Sequence, residues 1–326
     1  MHFILYGAII IITLSLTALF EYRLIPILKS RANQPIYEGG PVWHLSKSGT
    51  PTMGGIAFLL AAIILLIPTS IVLIRHSDYK KIGTALLISV VYAAANSIIG
   101  IFDDLTKLRK KANAGLTPMQ KIFFQSILAI IFLMSRAHFM GDCDVISFSF
   151  GEINIGFLYY PIAMIMLIGI VNCANLTDGI DGLASTVAFT IGIILVLMCK
   201  DTFTDAAVIG AALIGTSVGF LIFNIHPAKI FMGDTGSLFL GALAISASFS
   251  LGNPLLMIPL GSVYVIEGVS VISQVVCFKL TGKRLLKMAP LHHHLEKCGM
   301  SECKICMIAI IVTLLFAIPA FVISPI

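Results

Sequence analysis

The chain has 326 residues, 58% of them hydrophobic and only 11% charged, with a formal net charge of +5 and a mean hydropathy of +1.01. Soluble domains carry roughly a quarter charged residues, so this composition excludes a soluble globular protein. A length that would otherwise suggest about two soluble domains instead sets a number of membrane spans, and 1–326 reads as a single polytopic unit.

A helix needs about 20 predominantly apolar residues to cross a bilayer. Uncharged runs of that order occur at 3–20, 55–74, 82–102, 122–135, 153–177, 182–199, 206–226, 235–266 and 308–326. The first lacks the basic flank and small-residue cleavage site of a signal peptide, so it is expected to stay as a helix. In the outer segment 141–155 a weak alternation from Val145 to Phe150 predicts a small hairpin. The long run 235–266 is interrupted by Gly252-Asn253-Pro254, a turn signal, which splits it in two. The fold class is therefore an all-α integral membrane protein with about ten transmembrane helices.

Ten spans put both termini on one side. Of the 21 Lys and Arg residues, 16 lie in loops on the opposite face and 5 on the face of the termini. Basic loops stay in the cytoplasm, which puts both termini outside. The seven cysteines are odd in number and dispersed, against a disulfide framework. Cys303 and Cys306, with Cys298 and three histidines nearby, have a spacing seen in zinc sites. The pair opens a membrane helix and has no matching second pair, so zinc is not expected.

The chemistry-bearing residues gather on the basic face. Asp103 and Asp104 end the third span in GIFDDLTK; Asp178 and Asp181 follow the fifth in NCANLTDGIDGLA; Asn224 and Asp234 flank the loop between the seventh and eighth. His292, His293 and His294 follow the ninth in KMAPLHHHLEKCG. Each has a plain structural reading: solvated helix-end acids, caps and turns, a solvated histidine run. GTPTMGG at 49–55 lacks the P-loop spacing and its lysine, so it needs to be no more than a turn into the second span. Glu267, inside the ninth span, is either a hydrogen-bonded structural carboxylate or a neighbour of lipid phosphate. Four such coincidences at one membrane depth point instead to phosphate chemistry. Carboxylates hold Mg²⁺, which keeps substrate phosphates in its shell. Lysines such as Lys107 and Lys121 neutralise a diphosphate, and glycine-led helix starts offer it free N–H groups.

The stretches QPIYEGGPVWHLSKSGTPTMGG, FDDLTK, NCANLTDGIDGLA, FNIHPAKIFMGDTGSLFLG and MAPLHHHLEKCG, in order from Gln34 to Gly299, resemble the phospho-N-acetylmuramoyl-pentapeptide transferases. These sit within the wider polyprenyl-phosphate N-acetylhexosamine-1-phosphate transferase superfamily. The resemblance implies transfer of phospho-MurNAc-pentapeptide from UDP-MurNAc-pentapeptide to undecaprenyl phosphate, with Mg²⁺, yielding lipid I and UMP for peptidoglycan. It implies a homodimer in the bacterial plasma membrane, an active site on the cytoplasmic face, and lipid and nucleotide-sugar partners rather than nucleic acid. Carried over by motif, Asp103, Asp104, Asp234 and His293 are the expected catalytic set, with Asp234 the magnesium ligand. Lys47, Lys107, Lys121, Asn175, Asp178, Asp181, Asn224, Phe231 and His294 are expected to bind substrate. Asp103 or Asp104 either attacks phosphorus covalently or deprotonates the lipid phosphate; the motifs fit both.

Two rivals have distinct signatures. A sibling transferase using UDP-GlcNAc would carry an arginine-containing, differently spaced version of the triple-histidine loop. A transporter or flippase would place its polar residues near the bilayer midplane, often within repeats, and here they sit at one face without repeats.

Overall fold

The computed structural model describes residues 2–30, 47, 49–110, 115–141 and 144–325. Cys143 and the part of the first quoted motif from Gln34 to Ser46, with Ser48, lie outside them. The elements follow in the order α1 (His2–Lys29), α2 (Gly55–Arg75), α3 (Lys80–Lys110), α4 (Pro118–Met140), β1 (Val145–Phe148), β2 (Gly151–Asn154), α5 (Tyr159–Thr177) and α6 (Leu183–Met198). The chain continues with α7 (Asp205–Asn224), α8 (Gly233–Ser250), α9 (Met257–Leu260), α10 (Ser262–Thr281), α11 (Leu291–Lys297) and α12 (Glu302–Ile323). The hairpin expected from the weak alternation is present, with Val145 paired to Asn154 and Phe148 to Gly151 in antiparallel register.

Among the described residues, eight helices are long and apolar enough to cross a membrane: α1, α2, α3, α4, α5, α7, α10 and α12. The chain is a multi-pass membrane protein. Helix α6, at 16 residues, is apolar but shorter. Helix α8 is diluted by Gly, Ser and Thr and is buried without a break from Asp234 to Phe249. It is the central post: α3 packs along it most extensively, α5, α7 and α2 less so. The turn at Gly252-Asn253-Pro254 ends it as expected, with Asn253 capping the short turn that leads into α9.

Outer helices bury one stripe and show the rest. Helix α1 buries Tyr6, Ile9, Thr13 and Thr17, and α12 buries Ile305, Ala309, Thr313 and Ala317, a spacing of three and four residues. Their other faces carry exposed side chains such as Ile4, Ile11, Phe316 and Val322. Both sides of these helices are apolar, so polarity alone does not mark the buried side. Among the inward residues, Thr13, Thr17, Ala309, Thr313 and Ala317 are small enough to let backbones approach closely. Thr13 and Thr313 donate to the carbonyls four residues back, which satisfies these two hydroxyls within their own helices. The same close approach positions the site: a side chain at Gly55 would collide with Gly236, and one at Gly100 with the Asp234 backbone. Helices α2 and α3 therefore press directly on the start of α8.

Candidate active site

The C-terminal turns of α3 meet the N-terminus of α8. Asp103 and Lys107 are four residues apart on one face of α3 and pair at 2.7 Å. The same ammonium reaches Asp234 Oδ1 at 2.9 Å and lies 3.9 Å from Asp104 Oδ1. Across from it, α4 opens with a capping box of Thr117 and Gln120 and with Pro118 in its first turn. That start fixes Lys121, which lies 3.1 Å from Asp103 Oδ1 and donates to Asp234 Oδ2. Two lysines from different helices thus clasp Asp103 and Asp234 from either side. Asp103 also accepts the Leu116 backbone N–H at 2.7 Å.

Asp104 has a different task. Its carboxylate accepts the N–H groups of Asp234 (3.1 Å) and Thr235 (3.0 Å) and the Thr235 hydroxyl (2.7 Å). These N–H groups have no partner within their own helix, so an acid from α3 caps α8. The cap places the Asp234 carboxylate on the outer side of the first turn, facing the lysines. Gly233, at φ +70°, leaves room for the Asp104 carboxylate, which a side chain at that position would strike.

A second cluster lies one loop away. Asp181 Oδ1 meets Lys47 Nζ at 2.7 Å, and Oδ2 accepts the Ala228 N–H at 3.0 Å and lies 2.9 Å from His226 Nδ1. Glu302, at the start of α12, accepts the Asp181 N–H at 2.7 Å and pairs with Lys47 at 2.8 Å. Asn224 joins the same knot, accepting the Gly182 N–H and donating to the Ile230 carbonyl. Between the two clusters, Asn175 donates to the Ser237 hydroxyl of α8 at 2.8 Å. Part of Asp178 stays accessible, but enclosure of its carboxyl, and then the charges of Asp234 and Asp104, push it up to about 8. Phe231, half-buried, is held by its backbone, with its N–H on the Pro51 carbonyl and its C=O receiving the Gly54 N–H. GTPTMGG therefore does more than turn: it pairs with the loop that presents Phe231 and Asp234.

Helix α11 divides its histidines. His292 is fully buried; its N–H donates to Glu267 at 3.1 Å, and its ring abuts Gly179 of the Asp178–Asp181 loop. His293 pairs with Glu296 at 2.7 Å. His294 accepts the Lys287 N–H at 3.1 Å and touches Cys298, engaging the loop behind α11 rather than the acids. Glu267 is thus a hydrogen-bonded carboxylate that docks α11 onto α10. The sequence reading passed over Glu302 and His226. A charged residue opening an apolar helix and a histidine before a proline carry no spacing signal of their own; their part comes from long-range contact.

Five charged groups of both signs around a helix N-terminus, at one end of a membrane bundle, suit charge-dense phosphate substrates and point to a membrane-embedded transferase. Residues 85–252 match the model of glycosyl transferase family 4, and residues 47–59 match phospho-N-acetylmuramoyl-pentapeptide-transferase signature 1. The phospho-N-acetylmuramoyl-pentapeptide-transferase of Clostridium perfringens SM101 is 39% identical over 96% of this chain and 94% of its own length. Those of Bacillus subtilis 168 (39% identical; 89% of each chain) and Clostridium botulinum Alaska E43 (40%; 91% of this chain, 90% of its own) are similar over nearly the same extent. The chain belongs to the phospho-N-acetylmuramoyl-pentapeptide-transferase family.

Proposed function

We propose that the chain transfers phospho-MurNAc-pentapeptide from UDP-MurNAc-pentapeptide to undecaprenyl phosphate, giving lipid I and UMP, at the cytoplasmic face of the bacterial plasma membrane. The observation that carries this reading is the clasp of Asp103 and Asp234 by Lys107 and Lys121 at the start of α8. A phosphate oxygen of the lipid attacks the sugar-linked phosphorus of the diphosphate; that P–O bond forms as the bond to UMP breaks. Lys107 and Lys121 neutralise the two phosphate groups that must approach each other. Asp104 is occupied on both oxygens as the α8 cap, which leaves Asp103 as the acid that takes the acceptor's proton or orients its oxygen. His293, paired with Glu296, stands on α11 as a second donor to the diphosphate.

One carboxylate oxygen from each of Asp103, Asp104 and Asp234 lies within 4.8 Å of the other two. These hard donors fit Mg²⁺, with Asp234 as the principal ligand. When bound, the ion neutralises charge on the transferring phosphoryl group. Asn175, Asp178, Asp181, Asn224, Lys47 and Phe231 form the nucleotide side of the site. Counting α6 and α8 as spans gives ten, which returns both termini to the outer side, opposite the basic loops. The working form is a homodimer.

The test is UMP release by the purified chain with undecaprenyl phosphate and each UDP-sugar in turn. Release with UDP-MurNAc-pentapeptide and not with UDP-GlcNAc is expected. Release with UDP-GlcNAc would make the chain a sibling transferase instead.

A further inference from the structure

The end of the bundle opposite the active site carries a cavity of its own. Helix α4 starts beside the lysine clasp and α5 finishes near Asn175, so the far ends of the two, at Met140 and Tyr159, lie well away from the acids. Over its 23 residues α4 rises about 34 Å at about 1.5 Å per residue, slightly more than the roughly 30 Å hydrocarbon core of a bilayer. The region between these far ends therefore falls at the headgroup layer of the opposite leaflet. A cavity of about 400 Å³ opens there, lined by Ala137, Gly141, Asp144, Gly156, Phe157 and Tyr160. Its volume is in the range of small-molecule sites, about 300–1,000 Å³.

The walls are of two kinds. The rings of Phe157 and Tyr160 stand 6.2 Å apart between centroids at 45°, which makes an aromatic corner. Asp144 supplies a carboxylate at the foot of the hairpin, where its C=O accepts the Ile155 N–H at 2.9 Å. Asn154 Nδ2 lies 3.5 Å from that carboxylate, and the Asn154 side-chain oxygen accepts the Gly156 N–H at 2.8 Å. The loop bearing Phe157 is thus tied to the strand beside Asp144. Among the described residues no cation pairs with this acid. Arg136, next to the lining residue Ala137, is committed to the Phe249 carbonyl at 2.9 Å. Aromatic faces attract an ammonium through their ring electrons, and grouped rings recognise alkylammonium ligands. An anion would be repelled by Asp144, and a neutral apolar ligand would strip its carboxylate of water with no return. Phe157 and Leu158 are 82% and 63% exposed beside the cavity, apolar surface that acyl chains cover and water does not. The occupant that fits has a cationic head and an apolar body.

We propose that the cavity between the far ends of α4 and α5 seats the ammonium head of a membrane aminolipid, with Asp144 facing the charge and Phe157 and Tyr160 its alkyl groups. The site stands apart from the transferase reading and does not depend on it. Asp144 leads into the hairpin whose Ser147 and Ser149 N–H groups donate to the Gly252 and Ile323 carbonyls, so an occupant also steadies the far ends of α8 and α12.

Native mass spectrometry of the full chain, offered equal amounts of phosphatidylethanolamine and phosphatidylglycerol, should show the first retained in preference. Asp144→Asn keeps the size of the side chain and the backbone bond to Ile155. It should lower retention of phosphatidylethanolamine about fivefold, as loss of a modest ion pair would, and leave that of phosphatidylglycerol alone. Tyr160→Leu should lower it about two- to fivefold. Tetramethylammonium chloride at the concentration of the lipid should not compete. Where a variant does not fold, the unaltered chain decides: a phosphatidylethanolamine with a photoreactive group beside its amine should label the peptide holding Phe157 and Tyr160. Equal retention of the two lipids by the unaltered chain, unchanged retention in a folded Asp144→Asn, or labelling confined to other peptides would each overturn the proposal. So would full displacement by tetramethylammonium, which would assign the cavity to a soluble cation.

Discussion

The two acid clusters at the active end are built from similar parts and do opposite things with them. Each brings three metal-competent side chains within 4.8 Å and each contains lysine. In the cluster of Asp181, His226 and Glu302, backbone N–H groups of Asp181 and Ala228 are consumed by carboxylates, and a single lysine joins two acids. Its bonds tie together the loop before α2, the α5–α6 loop, the α7–α8 loop and the start of α12. In the cluster of Asp103, Asp104 and Asp234, one acid is consumed as a cap and the other two face two lysine ammonium groups, Asp103 also accepting the Leu116 N–H. Acids bonded to backbone hold shape, whereas acids bonded to lysine ends can exchange those partners for a substrate. We propose on that difference that the first cluster holds the nucleotide side of the site in shape and that the second carries the chemistry.

The strongest way to break that assignment is Asp234→Asn. Asn keeps the size of the side chain, and the α8 cap is supplied by Asp104, so the helix start is retained. What goes is the charge that faces Lys107, Lys121 and a divalent cation. Transferase activity is expected to fall by orders of magnitude in a protein that stays folded in detergent. Near-normal turnover at ordinary magnesium would move Asp234 into the scaffold class.

Next in size is Gly179→Ala, which probes the link between the clusters. The His292 ring lies against Gly179, between Asp178 and Asp181, and an added methyl would occupy the same space as Nε2. Overpacking of this kind costs about 1–3 kcal/mol, and here the yielding part is α11 with His293. Activity should drop more than thermal stability, and a second change, His292→Ala, should recover part of it. No loss in Gly179→Ala would show that α11 docks independently of the loop. His292 is fully buried and bonded to Glu267, so His292→Ala should cost at least as much activity as His293→Ala.

Glu302→Gln addresses the scaffold cluster itself. Gln still accepts the Asp181 N–H but loses the charge on Lys47, while Asp181 keeps its own bond to that lysine. Hydrogen bonds to charged groups are worth about 1.5–3 kcal/mol, and the surviving partner limits the loss to the lower end. The melting temperature should fall and the nucleotide KM rise a few-fold, with kcat held. A large fall in kcat with unchanged melting would place Glu302 among the reacting groups.

Much of this was legible in the sequence because local rules govern it. Hydropathy marked the spans, the Gly252-Asn253-Pro254 turn split the long run, and the alternation at Val145–Phe150 gave the hairpin. The convergence of Asp103, Asp181, Asp234 and His292 at one end followed from counting spans. Which acid does what did not follow. Asp103 and Asp104 are neighbours in sequence, and only the 100° turn between them on α3 sends one to the lysines and the other to the α8 backbone. Glu302 and His226 acquire their places from contacts more than 40 residues away in sequence, which no local pattern encodes. Helix α8, the most buried, is also the one whose composition reads least like a span, because a post surrounded by protein needs small residues more than oily ones.

The smallest expected effect is that of Phe231→Ala, and it falls on the strand of chain that joins the two clusters. His226 and Ala228 belong to the scaffold, Asp234 to the reacting group, and Phe231 lies between them. Its backbone is held at both ends by Pro51 and Gly54, so the loop does not depend on the ring for its course. The side chain is only partly buried, and its accessible part would offer a flat partner such as a nucleobase a stacking surface. Aromatic stacking is worth about 0.5–1.5 kcal/mol beyond area burial, or roughly a two- to tenfold change in an equilibrium constant. Phe231→Ala should therefore raise the KM for the nucleotide substrate by that factor, leave the KM for the lipid alone, and leave melting nearly unchanged. Phe231→Trp, which keeps a flat face, should restore most of the affinity. If the ring instead anchors the loop at the membrane interface, the alanine variant will lose stability with no change in nucleotide KM, and the joining segment will belong to the scaffold.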